Sequence, residues 1–213
     1  VSDDLILQFE QLDQAVYVAI ARASTPTLDQ TIRRISNAAN YSRLWMGIAA
    51  GLALVGGRRG RRAAVGGLLS VATASLVANQ VVKPIAQRSR PERDDWEVPT
   101  YRHVKMPSSR SFPSGHTASA YAFAAGVSRE IPLLSAPMFG LATLVGYSRI
   151  HTGVHFPGDV AMGMMLLAAS PGGTSAEAIY HLEKGGLRTV IADGVWAAYR
   201  RSQALGEENS RKD

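Results

Sequence analysis

Two histidines in the second half of the chain have neighbours that suit reactions of phosphate esters. His155 stands in the stretch HFPGD, where Pro157 favours the start of a helix and Asp159 follows in the first turn. A carboxylate at that place can accept the Nδ1 proton of His155 and leave Nε2 with a free lone pair. His116, in the stretch PSGH, is then expected to protonate the leaving oxygen. The pattern predicts His155 as nucleophile, Asp159 as its orienting group and His116 as acid.

Five further residues have the character of a binding site for phosphate oxygens. Lys83, Arg90 and Arg149 supply three positive charges, and the planar guanidinium of arginine matches the geometry of phosphate. Ser114 and Gly115 open a predicted helix, where free backbone N–H groups and the positive end of the helix dipole attract an anion. Gly115 allows a close approach of the backbone, and Ser114 offers a hydroxyl. We predict that these five residues bind phosphate.

A metal site is the alternative that the same region raises. His151 and His155 stand four residues apart and, together with Asp159, contain donor atoms that metals accept. Gly153 and Pro157 argue against a continuous helix that would carry the pair, and the neighbouring cations disfavour another cation. The sequence has no cysteine, which excludes thiolate ligands. We therefore expect a reaction without a metal or another cofactor.

Charge is distributed unevenly along the 213 residues. The net charge is +6, but the arginines concentrate in connectors and not along a helix with interleaved aromatic residues. We therefore expect no nucleic-acid partner. Long stretches in the middle of the chain carry no charge, which favours a protein of the membrane bilayer with basic connectors on the cytoplasmic side.

The uncharged stretches predict helices that cross the bilayer. A crossing needs about 20 apolar residues, and only residues 63–82 reach that length outright. Residues 114–148 would have to make two crossings of roughly 25 Å each, so a soluble bundle with very apolar core helices is the alternative. RRGRR, residues 58–62, is expected to be a cytoplasmic connector between two apolar stretches. Trp45, near the end of another apolar stretch, is expected to anchor at the membrane interface.

Counting the crossings from the basic connector brings the chemical residues to one face of the membrane. Residues 63–82 deliver Lys83 to the far side, and two crossings later Arg149 returns to that side. Three polar segments therefore converge there, namely residues 83–91, 113–116 and 148–159. Because nothing in the alternation of helices required this convergence, it supports one joint site.

The chain divides into three parts by hydropathy. Residues 1–40 are expected to form an amphipathic N-terminal helix and a linker, and residues 41–171 a membrane-embedded core. Residues 172–213 are expected to be a polar tail of amphipathic helices. The core contains every residue assigned to the site.

The three polar segments together resemble the three-part signature of the phosphatidic acid phosphatase type 2 superfamily. The rest of the sequence is similar in character to that of small actinobacterial members of the superfamily. The matching residues are Lys83, Arg90-Pro91, Pro113-Ser114-Gly115-His116, Ser148-Arg149, His155 and Asp159. The resemblance implies an all-α fold, a membrane helical bundle of about five to six helices with its site towards the outer face. It implies the same roles for the eight site residues as their chemistry suggests.

The resemblance further implies a metal-independent lipid phosphate phosphatase of a bacterial cell membrane, acting through a phosphohistidine intermediate. It leaves open whether the substrate is phosphatidic acid, phosphatidylglycerophosphate or a prenyl phosphate or diphosphate, and it leaves the oligomeric state open. A soluble acid phosphatase or a vanadium haloperoxidase of the same superfamily is the enzymatic alternative. A membrane protein that binds phospholipid without turnover is the other alternative, although binding alone needs neither nucleophile nor acid.

Overall fold

A computed structural model of the protein describes residues 3–166 and Lys184, and within these residues the regular structure is helical. The α-helices are α1 (Asp3–Arg22), α2 (Pro26–Ala38), α3 (Arg43–Val55), α4 (Gly57–Leu76), α5 (Lys83–Ala86), α6 (Gly115–Glu130), α7 (Ser135–His151) and α8 (Pro157–Met165). The all-α prediction is confirmed, with more helices than the five to six expected. Of the predicted tail, residues 172–213, all but Lys184 lies outside the described residues.

The helix that leads to the first polar segment is unusually long. α4 continues through a π-helical turn, Val77–Val82, into the single turn of α5. The resulting run of 30 residues, Gly57–Ala86, is long and apolar enough to cross a membrane, with a length of about 45 Å. The expectation that residues 58–62 form a connector is wrong, because they belong to the first turns of α4. Gly57, at φ +57°, makes the turn after α3, so the arginines that follow can be helical.

α6 is the central helix of the described bundle. Ten of its 16 residues are buried, and it packs against α4, α7 and α8. Beside it, the segment Pro132–His151, which includes α7, is a second stretch long and apolar enough to cross a membrane. α6 itself is shorter, about 24 Å long. The buried position of α6 allows it to support the site from within the bundle.

Glycines bring α6 close to its neighbours. Gly126 of α6 packs against α4, where an added Cβ atom would lie 2.8 Å from the carbonyl oxygen of Gly66. Gly163 of α8 packs against the start of α6, where a Cβ atom would lie 2.7 Å from the carbonyl oxygen of Ser114. Close approach of backbones at small residues is typical of helix packing in membranes. These contacts determine where the ends of α4, α6 and α8 meet.

The apolar core includes a residue expected at the membrane interface. Trp45 of α3 is 1% exposed and packs on Phe123 of α6, with ring centroids 5.2 Å apart. The prediction of an interfacial anchor is therefore wrong. Small side chains in the same cluster, Ala49 and Ala63 among them, leave space for the indole ring inside the bundle.

The fold brings the three polar segments together. α5 begins with Lys83, α7 carries Arg149 in its last turn, and α8 carries Asp159 in its first turn. The backbone N–H of Ser114, which precedes α6, donates to the carbonyl oxygen of Asp159 at 2.9 Å. The second and third segments are thus bonded directly to each other.

Candidate active site

His155 and Asp159 form a buried pair at the start of α8. Nδ1 of His155 lies 3.3 Å from Oδ2 of Asp159. The same carboxylate oxygen accepts the backbone N–H of Phe156 at 2.9 Å and the hydroxyl hydrogen of Ser111. Because the carboxylate is held from two directions, the imidazole ring that it contacts is fixed as well.

The second ring nitrogen of His155 faces Arg90. NH1 of Arg90 lies 3.2 Å from Nε2 of His155, and a guanidinium group can only donate. Nε2 therefore has the lone pair, and Nδ1 carries the proton that Asp159 accepts. Burial lowers the pKa of His155 to about 4; the hydrogen bond to Asp159 opposes this shift, and the charges of Arg90 and Arg149 reinforce it. His155 is thus neutral at neutral pH, as a nucleophilic histidine must be.

Lys83 and Arg90 share a hydrogen-bond partner, Ser109. Nζ of Lys83 donates to the Ser109 hydroxyl at 3.1 Å, and NH2 of Arg90 donates to the same oxygen at 3.2 Å. Arg90 is held further by the carbonyl oxygens of Ser109 and Val154, each at 2.7 Å. Burial lowers the pKa of Arg90 to about 10, so its charge persists at neutral pH. Two cations around one hydroxyl concentrate positive charge at the site.

A cavity of about 210 Å³ opens at these side chains. The predicted site residues that line it are Lys83, Arg90, Gly115, His116 and His155. Ser114, Arg149 and Asp159 do not line the cavity, although Asp159 acts on it through His155.

The start of α6 presents Gly115 and His116 to the cavity, but not the hydroxyl of Ser114. That buried hydroxyl caps the helix by accepting the backbone N–H of Thr117 at 3.4 Å and its hydroxyl hydrogen at 2.9 Å. The contact of Ser114 with phosphate stays a prediction. Nε2 of His116 lies 2.9 Å from Oδ1 of Asn40, which is an acceptor, so this nitrogen carries a proton. A Cβ atom at Gly115 would meet its nearest side chain only at 3.6 Å, so the protein leaves space there.

Arg149, the third predicted cation, is 1% exposed. Its NH1 donates to the hydroxyl of Ser36 at 2.7 Å, whereas its Nε has no hydrogen-bond partner within the described residues. A buried guanidinium nitrogen normally has an acceptor, and phosphate and carboxylate oxygens are the acceptors that arginine binds most strongly. The charge of Arg149 acts on His155, so its predicted role in binding phosphate is compatible with its position.

Two residues next to His155 and Asp159 are absent from the predicted site. Arg88 donates from NH1 to Oδ1 of Asp159 at 2.9 Å and from NH2 to Oδ2 of Asp13 at 2.6 Å. Its guanidinium lies over the ring of Phe156, 4.4 Å from the centroid. Oδ1 of Asp13 accepts the backbone N–H of Gly158 at 2.6 Å. Arg88 and Asp13 thereby connect α1 to both the carboxylate and the first turn of α8.

The sequence contained a signal for each of these residues. Arg88 stands between Lys83 and Arg90 in one short polar segment, where a third cation indicates an acidic partner. Asp13 precedes Tyr17 by one turn on the buried side of α1, and an acid on that side of an amphipathic helix is unusual. Burial by itself would lower the pKa of Arg88, but the hydrogen bond to Asp13 and other contacts raise it, so Arg88 is charged.

His151 does not join the site. Its Nε2 lies 2.9 Å from Oδ1 of Asp29 and 3.2 Å from the hydroxyl of Thr25, and Nε of Arg102 lies 2.9 Å from the same Asp29 oxygen. His151 and His155 thus bind different carboxylates, which removes the basis for a shared metal. Within the described part of the chain, no three His, Cys, Asp or Glu side chains are placed to hold a metal ion.

The chain is similar to phosphatases of known sequence and structure. A family model described as the PAP2 superfamily matches residues 64–171, just over half of the chain and including all eight predicted site residues. The decaprenylphosphoryl-5-phosphoribose phosphatase of Mycolicibacterium smegmatis is 34% identical over 158 residues, which are 71% of this chain and 81% of that relative. The transmembrane PAP2-type phosphatidylglycerolphosphate phosphatase of Bacillus subtilis has a TM-score of 0.55 and 27% identity, over 75% of this chain and 83% of that one. LpxE of Aquifex aeolicus has a TM-score of 0.55 and 26% identity, over 72% of this chain and 88% of that one.

Proposed function

The chain belongs to the PAP2 superfamily and is a lipid phosphatase, and from this premise we propose that it works through a phosphohistidine on His155. The observation that carries the proposal is the state of the imidazole ring. Asp159 holds its Nδ1 side, and its Nε2 lone pair faces Arg90 at the cavity. The nitrogen that can attack therefore lies beside a group that binds the phosphate.

In the first step, Nε2 of His155 attacks phosphorus while the bond between phosphorus and the leaving oxygen breaks. The electron pair of the broken bond goes to the leaving oxygen, which receives a proton from His116. Burial and the charges of Arg149, Lys83 and Arg90 lower the pKa of His116 well below its usual range. The negative charge of a bound phosphate opposes these cations, so we propose that His116 takes up its proton when the substrate binds. Asp159 stabilises the positive charge that develops on the His155 ring by accepting its Nδ1–H. The step yields the dephosphorylated lipid and a phosphoryl group on Nε2.

In the second step, water attacks phosphorus and the phosphorus–nitrogen bond breaks. His116, now neutral, takes a proton from the water, and the electron pair of the broken bond returns to Nε2 of His155. Inorganic phosphate leaves, and both histidines return to their starting protonation states. His116 thus serves first as acid and then as base.

The bound phosphate is proposed to lie among positive charges and backbone donors. Its oxygens would become acceptors for Lys83 and Arg90 at the cavity, and these charges offset its own without a metal ion. Arg149 does not line the cavity, so we propose that its side chain moves towards the bound phosphate and brings its free Nε into contact with it. At the start of α6, the N–H of Ser114 already donates to Asp159. The N–H groups of Gly115 and of the next residue are those left to face an anion.

The site is proposed to receive its substrate from the bilayer. The protein is a membrane protein, and Lys83 and Arg149 lie near the ends of the two candidate spans, Gly57–Ala86 and Pro132–His151. An end of a span is the level at which lipid phosphates lie. The basic residues 58–62 occupy the opposite end of the first span, and basic residues favour the cytoplasmic side. We therefore propose that the site faces the outside of a bacterial cell membrane.

The substrate is proposed to be a phosphomonoester or diphosphate of a membrane lipid. Two of the similar proteins are named for lipid phosphates, decaprenylphosphoryl-5-phosphoribose and phosphatidylglycerolphosphate. These names support the class, which includes phosphatidic acid, phosphatidylglycerophosphate and prenyl phosphates.

The test is phosphate release by the detergent-purified protein from a panel of these lipids, in the presence of a chelator, beside His155→Ala. We expect the wild type to turn over and the variant to be inactive. Quenching in alkaline denaturant during turnover should trap phosphate on the wild-type protein in a base-stable form that acid treatment then releases, as expected of phosphohistidine. Activity that survives the loss of His155 would show that His155 is not the nucleophile. Binding of the lipids without any turnover would favour a phospholipid-binding protein.

A further inference from the structure

The cavity has two chemically different halves. Lys83 and Arg90 form a cationic half around Ser109, and the neutral His155 lies beside Arg90. The other half is lined by side chains that are neutral and can form hydrogen bonds, namely Tyr41, Ser42, Ser75, Asn79 and Ser119. A site for phosphate alone would need only the first half.

Most of the neutral half belongs to segments that adjoin His116. Ser119 follows His116 by one turn of α6, and Asn79 precedes Lys83 by one turn of the long α4 run. Tyr41 and Ser42 belong to the connection between α2 and α3, which is tied to His116 through Asn40 at 2.9 Å. Tyr41, Ser42 and Ser119 are therefore neighbours of His116. Asn79 lies beside Gly115, where an added Cβ atom would be 3.6 Å from Asn79 Oδ1 and 3.9 Å from Lys83 Nζ, so it stands where the neutral half meets the cationic half.

Much of the hydrogen-bonding capacity of the neutral half is unused. Asn79 donates from Nδ2 to the carbonyl and hydroxyl oxygens of Ser75, at 2.9 and 3.1 Å. Its Oδ1 and the hydroxyls of Ser42 and Ser119 have no hydrogen-bond partner within residues 3–166. Ser119 is only 7% exposed. These atoms are open to the cavity, where they are available to a ligand with hydroxyls or carbonyls that replaces water as their partner.

The connection between α2 and α3 also has an unusual backbone conformation where it lines the cavity. Tyr41 and Ser42 have φ values of 55° and 57°, which is the left-handed region that residues other than glycine seldom adopt. Strain of this kind is concentrated at functional sites, where the surrounding structure maintains it. Here it belongs to two consecutive residues that line the neutral half.

In-line attack determines which part of the substrate meets this half. The attacking and leaving atoms lie on opposite sides of phosphorus in the transition state. With His155 as nucleophile and His116 as acid, the leaving oxygen lies on the side of His116. The group attached to that oxygen must therefore lie against the neutral side chains.

We propose that this protein is specific for lipids in which a hydroxyl-bearing group, a polyol or a sugar, is joined to the phosphate that is removed, and that Asn79, Ser119 and Ser42 bind that group. The inference rests on the proposed function and narrows the class of lipid phosphates that the protein is proposed to hydrolyse. A prenyl chain attached directly to the phosphate would place hydrocarbon against these side chains and leave them unpaired. A site built to bind hydroxyls rejects a ligand that lacks them.

The test compares three phosphomonoesters with the purified protein. In phosphatidylglycerophosphate the phosphate is joined to a glycerol with a free hydroxyl, whereas phosphatidic acid with the same acyl chains and a prenyl monophosphate have none. We expect kcat/KM for the first to exceed the other two by at least about 10-fold. Equal values, or a preference for the prenyl phosphate, would overturn the inference. If hydrolysis of the three lipids showed no such preference but still depended on His155, the proposed function would stand and the inferred specificity would be wrong.

Variants of the neutral half give a second measurement. Asn79→Leu and Ser119→Ala should each lower kcat/KM for phosphatidylglycerophosphate, by about 10-fold for the first, and change that for phosphatidic acid little. Thr73→Val is the matched control on α4, because the Thr73 hydroxyl donates to the Leu69 carbonyl outside the cavity. A fall of equal size for both lipids would overturn the inference. If the wild-type protein hydrolysed none of the lipid phosphates, both the inferred specificity and the proposed function would be wrong.

Discussion

Residues 3–166 contain two buried histidine–aspartate pairs whose histidines stand four residues apart, and of these two it is the His155 pair that reaches the cavity beside Lys83 and Arg90. Nε2 of His151 lies 2.9 Å from Asp29, and Nδ1 of His155 lies 3.3 Å from Asp159. Each carboxylate also contacts an arginine, Arg102 in the first pair. The pair with the shorter contact is the one remote from the site.

The difference lies in what the second ring nitrogen faces. Nε2 of His155 meets a cation at the wall of the cavity, so it can attack a phosphate that enters. In His151, Nε2 is taken by Asp29 and Thr25, and the buried Nδ1 has no hydrogen-bond partner among the described residues. A histidine beside a carboxylate is therefore not a nucleophile by itself. The choice of nitrogen and the access to the other one decide its role.

Replacing each histidine by glutamine should separate the two pairs most strongly. His155→Gln removes the proposed nucleophile, and we expect turnover to fall by about 10⁴-fold or more. His151→Gln should keep turnover per folded molecule close to that of the wild type. The measurement is phosphate release at equal amounts of folded, detergent-purified protein. Comparable losses in both variants would contradict the assignment of the two pairs.

Asp159→Asn should have the next largest effect. An amide in this position can donate to Nδ1 of His155, which favours the tautomer with the proton on Nε2 and removes the attacking lone pair. We expect kcat to fall by about 10³-fold or more, as for other histidines with the wrong tautomer. Rapid-quench kinetics should show slower formation of the phosphoenzyme. A variant that forms it at the wild-type rate would show that Asp159 does not orient the ring.

The sequence allowed one of these two pairs to be predicted in full. Pro157 and Asp159 follow His155 closely, so local helix geometry specifies the contact. The partner of His151 stands in α2, far earlier in the chain, and no spacing or periodicity connects the two.

The same limit explains which parts of the site were missed. Arg88 reaches Asp159 and Asp13 across 71 and 75 residues, and such contacts depend on how the helices pack. Helix type and the meeting of the three polar segments follow from hydropathy and from the alternation of helices. The direction of a single side chain cannot be predicted in this way, as the hydroxyl of Ser114, which bonds to Thr117, illustrates.

Arg88→Met should have a smaller effect on rate and a diagnostic effect on pH dependence. The loss of one partner of Asp159 should lower kcat/KM by up to about 10²-fold through misplacement of the catalytic pair. It also leaves the negative charge of Asp159 less compensated, which favours the protonated form of His155, while Arg90 and Arg149 still oppose it. The pKa of His155 should rise above its value of about 4, and the acidic limb of the kcat/KM profile should move to higher pH.

The controls for this prediction distinguish positioning from general damage. Arg88→Lys keeps the charge, so the acidic limb should move less than in Arg88→Met. Asp13→Asn should reproduce part of the loss in rate, whereas Glu10→Gln, the same change at an exposed acid one turn earlier on α1, should not. A fall in rate with the acidic limb unmoved would mean that Arg88 only stabilises the fold.

Asp29→Asn should change the rate least and stability most clearly. Arg102 is 1% exposed and donates to the carbonyl oxygens of Ala21 and Ala23 at the end of α1, with Asp29 as its ionic partner. Removing one charge of a buried pair leaves the other uncompensated, so we expect a loss of about 3 kcal/mol in the free energy of unfolding. Thermal unfolding in detergent would measure it, beside kcat/KM per folded molecule, which should stay unchanged. A variant with full stability and lost activity would place the second pair in the reaction. The expected result would show that the pair of His151 and Asp29 stabilises the fold and takes no part in the reaction, in contrast to the role proposed for His155 and Asp159.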